Sequence, residues 1–207
     1  PEGVAWVGNG PLLLATVYGD DRVLVYDADA KKCVSILPVA DEPYGVVVTK
    51  DGKYAYVSHD YPGSVGEIDV AARKLTRTFK VGDGCRGIAL SPDEKTLYVT
   101  EFHTTKLHAV SLETGKVVDT WAAVGSDNLA RNVAVHPTKP RAYVAHLRSV
   151  VDVFNARGSI APHLSVFDLV PQTGDERRRQ SIAMDTFNGV YVLSNPLEGA
   201  VFAGGAT

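Results

Sequence analysis

Arg86-Gly87-Ile88-Ala89-Leu90-Ser91-Pro92-Asp93-Glu94-Lys95-Thr96-Leu97-Tyr98-Val99-Thr100 holds two short apolar stretches on either side of a Ser-Pro-Asp turn. Apolar residues alternate in both stretches, as in strands lying on a pleated, half-buried surface, and the short turn between them predicts an antiparallel return. The unit recurs. Glu2-Gly3-Val4-Ala5-Trp6-Val7, Tyr44-Gly45-Val46-Val47-Val48 and Arg131-Asn132-Val133-Ala134-Val135 repeat its opening, which places Gly3, Gly45, Gly87 and Asn132 at spacings of 42, 42 and 45 residues. Turns follow at Lys50-Asp51-Gly52-Lys53 and His136-Pro137-Thr138-Lys139. They lead into Ala55-Tyr56-Val57-Ser58 and Ala142-Tyr143-Val144-Ala145, while the first unit uses Gly8-Asn9-Gly10-Pro11 and Leu13-Leu14-Ala15-Thr16. A third strand ends at Asp27, Asp69, Ser111 or Asp168. A fourth is predicted over Cys33 to Val39, Leu75 to Val81 and Val117 to Trp121.

Four strands of about five residues in a period of about 42 describe one blade of a β-propeller, a twisted antiparallel sheet. The predicted fold is therefore all-β, with four four-stranded blades over about residues 1–42, 43–84, 85–128 and 129–195 and the start of a fifth at 196. Pro196-Leu197-Glu198-Gly199-Ala200-Val201 repeats the opening of the unit. A seven-bladed ring would need about 295 residues at this period, so the 207 residues are expected to be part of a larger propeller. Glycine at the anchors lets backbones crowd near the axis, where a Cβ would clash. Asn132 is a mild departure, since asparagine tolerates positive φ.

Composition agrees: 19 Gly, 11 Pro and 9 Tyr against one Met favour strands and turns. No apolar run approaches the roughly 20 residues of a membrane-spanning helix. A net charge of −3 argues against a phosphate-binding surface, so neither a membrane span nor a nucleic-acid partner is expected. From Pro1 onward no basic stretch followed by an apolar one suggests a signal peptide. Cys33 and Cys85 form no C-x-x-C-H, so no covalent haem is expected in this segment.

The fourth unit departs from the rest. Fifteen residues separate Arg148 from Leu164, and this insert, Ser149 to His163, is expected to be an ordered loop covering one face, since long loops without repeat structure tend to be functional. Pro171 to Ser194 is also longer than an outer strand needs.

Leu97-Tyr98-Val99-Thr100-Glu101-Phe102, preceded by Ser91-Pro92-Asp93, resembles the YVTN family of β-propeller repeats, and the likeness runs in register over about residues 1 to 170. That resemblance implies a propeller. Its families include bacterial and archaeal surface proteins, lactonase-like enzymes, the haem d1 domain of nitrite reductases and heavy chains of amine dehydrogenases. His146-Leu147-Arg148, the insert and Leu164 to Asp168 further resemble exported bacterial proteins that join such a propeller to a di-haem cytochrome c peroxidase-like module. Together they imply a binding or scaffold module in the periplasm, outside the cell or at its surface, with a neighbouring domain of the same polypeptide or another protein as partner. The alternatives implied are the propeller part of a cytochrome c-linked oxidoreductase, with haem c in a neighbouring domain, and a lactonase-like hydrolase.

Antiparallel order puts the loops leading into each first strand and those leaving each second strand on one face, around the channel mouth. There the sequence sets Arg86, Arg131, His59, Glu101, His146 and Arg148 as candidate ligand-binding residues for an anion, a redox cofactor or the acidic patch of a partner. His59, Glu101 and His146 share one repeat position on successive blades. They are expected about 10 Å apart, too far to share an ion whose ligands stand at about 2 Å, so no metal site and no catalytic set is assigned. Ser58-His59-Asp60 has triad residue types, but neighbours on a strand point to opposite faces. Asp27, Asp69 and Asp168 are expected to cap turns, His136 to be structural, and Cys85 to be an inert, partly buried thiol.

Overall fold

The computed structural model describes residues 1–123, 125–152, 157–170 and 178–184. They form four antiparallel four-stranded sheets, each with its strands in chain order. Blade 1 comprises β1 (Val4–Trp6), β2 (Leu12–Val17), β3 (Arg22–Asp27) and β4 (Lys32–Pro38); blade 2 comprises β5 (Pro43–Val48), β6 (Tyr54–His59), β7 (Ser64–Asp69) and β8 (Lys74–Lys80). Blade 3 comprises β9 (Cys85–Leu90), β10 (Thr96–Glu101), β11 (Leu107–Ser111) and β12 (Val117–Trp121); blade 4 comprises β13 (Asp127–Val135), β14 (Arg141–Asp152), β15 (Arg157–Asp168) and β16 (Arg178–Ala183). This is a β-propeller arrangement. The predicted fifth blade from 196 and most of 171–194 lie outside the described residues.

Alternation along each strand divides its side chains between two neighbouring blades. In β6, Ala55 and Val57 pack with Leu14, Val23, Val25 and Leu37 of blade 1, whereas Tyr56 packs with Ile88, Leu97 and Val99 of blade 3. In β10, Leu97 and Val99 face blade 2 while Tyr98 faces blade 4, where Ala142, Val144 and Phe167 meet it together with Trp121. The apolar core is thus three separate layers, one at each interface between blades. Polar links cross the same interfaces: Trp121 Nε1 donates to the Asp168 carbonyl at 2.8 Å, and Arg77, paired with the buried Glu67, donates to the Leu112 carbonyl at 3.0 Å.

Nearest the axis the blades meet backbone to backbone. A Cβ on Gly3 would stand 2.5 Å from the Tyr44 carbonyl oxygen, and one on Gly45 would stand 2.7 Å from the Arg86 carbonyl oxygen. One on Gly87 would lie 2.6 Å from Thr100 Oγ1 and 2.8 Å from the Asn132 carbonyl carbon. Space, then, rather than φ, requires these glycines. Asn132 does not use positive φ either; the left-handed residue nearby is Leu129, φ 60°, within the irregular pairing between Asn128 and Asn132.

A hydroxyl fastens each close approach. Thr16 Oγ1 accepts from Gly3 N–H at 2.8 Å and donates to the Tyr44 carbonyl at 2.6 Å; Ser58 Oγ accepts from Gly45 N–H at 2.9 Å and donates to the Arg86 carbonyl at 2.6 Å. Thr100 Oγ1 accepts from Gly87 N–H at 3.0 Å. The fourth unit carries Ala145 at this position.

The turns follow the repeat as expected. Asp27 and Asp69 accept backbone N–H groups of the turns after β3 and β7, and Asp168 pairs with Arg141 at 3.5 Å. Ser91 Oγ accepts from Thr96 N–H at 3.0 Å, and in the fourth unit His136 Nδ1 takes over, accepting from Thr138 and Lys139 N–H at 3.1 and 3.0 Å. His136 is structural.

The insert differs from the expected covering loop. Pairing between β14 and β15 runs without a shift from Arg141↔Asp168 to Asp152↔Arg157, twice the length of the hairpin in blade 2. Pairing with β13 reaches only Arg148, and pairing with β16 reaches only His163. Beyond those residues the hairpin continues as a two-stranded ribbon, for which the β-branched Val150 and Val151 are suited.

Two comparisons test the close approach. Thr100→Val leaves the buried Gly87 N–H without its acceptor and is expected to destabilise by about 1–3 kcal/mol in urea unfolding, with Thr100→Ser restoring most of the loss. Gly87→Ala is expected to cost about 1–3 kcal/mol by overpacking, whereas Gly19→Ala, which meets nothing within 4 Å, leaves the midpoint unchanged.

Candidate functional site

Strand parity decides where the predicted ring residues go. His59 has the parity of Ala55 and Val57, Glu101 that of Leu97 and Val99, and His146 that of Ala142 and Val144, so each points into the interface with the preceding blade. His59 and His146 are fully buried and Glu101 nearly so. They share a repeat position but do not form a ring at the mouth.

Each makes a different local arrangement. His59 Nδ1 lies 3.3 Å from Ser64 Oγ, and its buried Nε2 has no hydrogen-bond partner. Burial pushes its pKa down to about 4, against weaker upward pulls from Ser64 and Asp21. Glu101 Oε1 lies 2.9 Å from His108 Nε2, and its other oxygen accepts from Thr104 Oγ1. Burial opposes its charge, but these hydrogen bonds and the His108 field prevail and hold the carboxyl at about 2. His146 Nε2 meets Ser165 Oγ at 2.8 Å and its ring stacks on His163 at 5.9 Å. Arg148 turns the same way: Nε donates to Asp127 Oδ1 at 2.8 Å and Nη2 to Ser181 Oγ at 3.1 Å. Ser58, His59 and Asp60 make no relay, since Ser58 serves the close approach and Asp60 binds Arg86.

The mouth itself is built from residues directly before the anchors, Glu2, Tyr44, Arg86 and Arg131, and residues two beyond the fastening position, Tyr18, Asp60 and Phe102. Arg86 is enclosed. Its Nε and Nη2 donate to Asp60 Oδ2 at 2.9 and 2.5 Å, and Tyr18 OH donates to the same oxygen at 3.0 Å. Its guanidinium lies 3.5 Å from the Phe102 ring centre and 4.9 Å from that of Tyr44. Burial disfavours its charge, yet the Asp60 hydrogen bonds outweigh it and raise the pKa above the usual arginine value. Burial and Asp60 together push the Tyr18 phenol up to about 12.

Arg131 stands differently. Its guanidinium is 6.0 Å from the Phe102 ring, its buried Nε has no hydrogen-bond partner, and it makes no ion pair among the described residues. Cys85, beside this array, is fully buried, and burial pushes its thiol up to about 12, so it is inert as expected. The sequence singles out the two arginines as candidate site residues but not Tyr44, Asp60 and Phe102, which lie on the same face and prove to be their partners. The signal was available in the repeat: aligned on Thr16, Ser58 and Thr100, the residues two further on are Tyr18, Asp60 and Phe102.

The buried imidazole sets a pH dependence. With its pKa lowered from 6.5 to about 4, His59 binds a proton in the unfolded chain before the folded one, so its contribution is whole above pH 6.5 and is lost as pH falls toward 4. Between pH 6.5 and 5 the wild type is expected to lose about 2 kcal/mol through this residue. His59→Gln should flatten the urea-midpoint profile over that interval, and parallel profiles would refute the assignment.

Relatives share this architecture. The solved structure of hydrazine synthase from Kuenenia stuttgartiensis superposes with a TM-score of 0.73 at 23% identity, over 81% of this chain and 51% of that one. The solved structure of U3-55K gives 0.61 at 11% identity, over 81% and 60%. These likenesses concern the fold. The seven-bladed β-propeller protein Rv1057 of Mycobacterium tuberculosis is 29% identical over 122 residues, 56% of this chain and 31% of that protein. Antigen Lp49 of Leptospira interrogans is 30% identical over 95 residues, 39% of this chain and 21% of that protein. The chain thus spans at most a third of the length of these curated relatives. Residues 7–159 match the cytochrome D1 heme domain, which is well over half of the 207. The chain belongs to the cytochrome D1 heme domain family.

Proposed function

We propose that this chain is a binding module of an exported, periplasmic or cell-surface protein and that its channel mouth receives a ligand or a partner domain. The observation that carries this is the contrast at the mouth: Arg86 is neutralised by Asp60 and enclosed by rings, while Arg131, one blade on, makes no ion pair among the described residues. Fixed positive charge beside aromatic faces is the composition of a recognition surface. No helix among the described residues is long and apolar enough to cross a membrane.

The family description implies a haem. An iron needs an axial ligand, commonly an imidazole reaching into the cofactor space. Among the described residues five imidazoles are committed elsewhere: His59, His108 and His146 lie buried within the blades, His136 accepts from its turn, and His163 meets Ser181. His103 is exposed in the turn after β10, with its ring edge-on to Phe102 at 4.9 Å, and is the one that would be open to an axial position. The positive and aromatic groups of the mouth fit an organic or protein surface.

The second reading, the propeller part of a cytochrome c-linked oxidoreductase, is favoured by the family match. The product of the full reading frame, purified from an exporting host, separates the two. The binding reading expects no Soret band, and stoichiometric haem absorbance would replace it with the oxidoreductase reading.

A further inference from the structure

We propose that Thr120 is a catalytic nucleophile, activated by His108 and Glu101 to take the acyl group of a small carboxylic ester. This activity is separate from the binding reading above and lies on the outermost strand of blade 3. His108 Nδ1 stands 2.9 Å from Thr120 Oγ1, across the ladder that pairs β11 with β12, and His108 Nε2 stands 2.9 Å from Glu101 Oε1. One imidazole thus bridges a hydroxyl and a carboxylate. Glu101 and His108 are buried, while Thr120 is exposed. A buried acid, a covered base and a hydroxyl open to solvent are the parts of a nucleophilic relay.

Charge fixes the direction of both hydrogen bonds. Glu101 is held ionised, its carboxyl at about 2, so it only accepts. Neutral His108 therefore carries its proton on Nε2, and its Nδ1 lone pair takes the hydrogen of the Thr120 hydroxyl. The carboxylate is fastened on its other sides: Oε2 accepts from Thr104 Oγ1 and meets Lys106 Nζ at 3.7 Å, and Asp83 N–H reaches Oε1 at 3.4 Å. The loop above is fitted to the relay, since a Cβ on Gly82 would overlap Glu101 Oε1 and stand 2.9 Å from His108 Nε2. The fold does not require this set. Aligned through the repeat, the same three positions are Val17, Leu24 and Ile36 in blade 1 and His59, Gly66 and Thr78 in blade 2, and neither set links a hydroxyl to a carboxylate.

In the acylation step Thr120 Oγ1 attacks the carbonyl carbon and forms a C–O bond as its proton passes to His108 Nδ1. The ester C–O bond breaks, and the departing alkoxide takes that proton. Water then attacks the acyl-threonine, giving a proton to His108, and the acid leaves as Thr120 takes that proton back. Glu101 stays ionised throughout and holds the imidazolium. Glu101 and Asp119, whose carboxylate accepts Thr120 N–H at 2.8 Å, set negative charge around the hydroxyl. That field favours a neutral ester over a phosphoryl dianion.

The experiment uses p-nitrophenyl acetate on the product of the full reading frame. A stoichiometric burst of p-nitrophenolate is expected, with an acetyl group located on Thr120 by peptide mass spectrometry. The burst rate should rise from acid to neutral pH, because only a neutral imidazole takes the hydroxyl proton. Thr120→Val should remove both the burst and the label, and His108→Ala and Glu101→Gln should each slow the burst by about 10²–10⁴-fold. Circular dichroism separates these losses from unfolding, and Thr120→Val, at an exposed position, decides the matter if a buried variant does not fold. No acetyl group on Thr120, a burst unchanged in Thr120→Val, or a wild-type rate in folded His108→Ala or Glu101→Gln would overturn the assignment.

Discussion

Everything in this arc depends on how closely neighbouring blades approach at their inner strands. Antiparallel sheets do not by themselves stack at a fixed distance, because side chains separate them. Here Gly3, Gly45 and Gly87 remove the side chain where separation would be set, and a hydroxyl from the second strand takes the N–H left without a strand partner. In the first two blades the same hydroxyl also reaches the next blade's carbonyl. One oxygen thereby satisfies a buried donor within a blade and joins two blades, which explains why threonine or serine and not valine occupies a position otherwise suited to an apolar residue.

That approach sets the chemistry of the mouth. Residues directly before each anchor are brought together with those two beyond each hydroxyl, so Tyr18, Tyr44, Asp60, Arg86, Phe102 and Arg131 form one continuous array across four blades. Charge within the array is arranged unevenly. Arg86 is held by an acid and three rings, which makes it a structural cation, while Arg131 has only the ring. The same residue type at the same repeat position thus has two environments, decided by one neighbour.

Much of this was legible in the sequence. The period of about 42 and the strand-turn-strand pattern gave the blades, and Gly45 and Gly87, recurring at one repeat position, marked where backbones approach closely. His59, Glu101 and His146 were misplaced for a specific reason: their repeat position lies near the mouth along the strand, but their parity with Val57, Val99 and Val144 turns them between blades. Parity is visible in the sequence and needed only to be carried to the last residue of the strand. The ribbon of β14 and β15 was less accessible. Val150 and Val151 fit a strand or an ordered loop equally well, and only pairing with the segment from Arg157 decides between them.

Ala145 stands where Thr16, Ser58 and Thr100 supply their hydroxyls. In a quasi-one-dimensional array, stability is shared between the units and the couplings that join neighbours. Thr16 and Ser58 each supply such a coupling to the following blade, and Ala145 has no hydroxyl with which to supply one, so tolerance of substitution at this repeat position should differ between blade 4 and the first two blades.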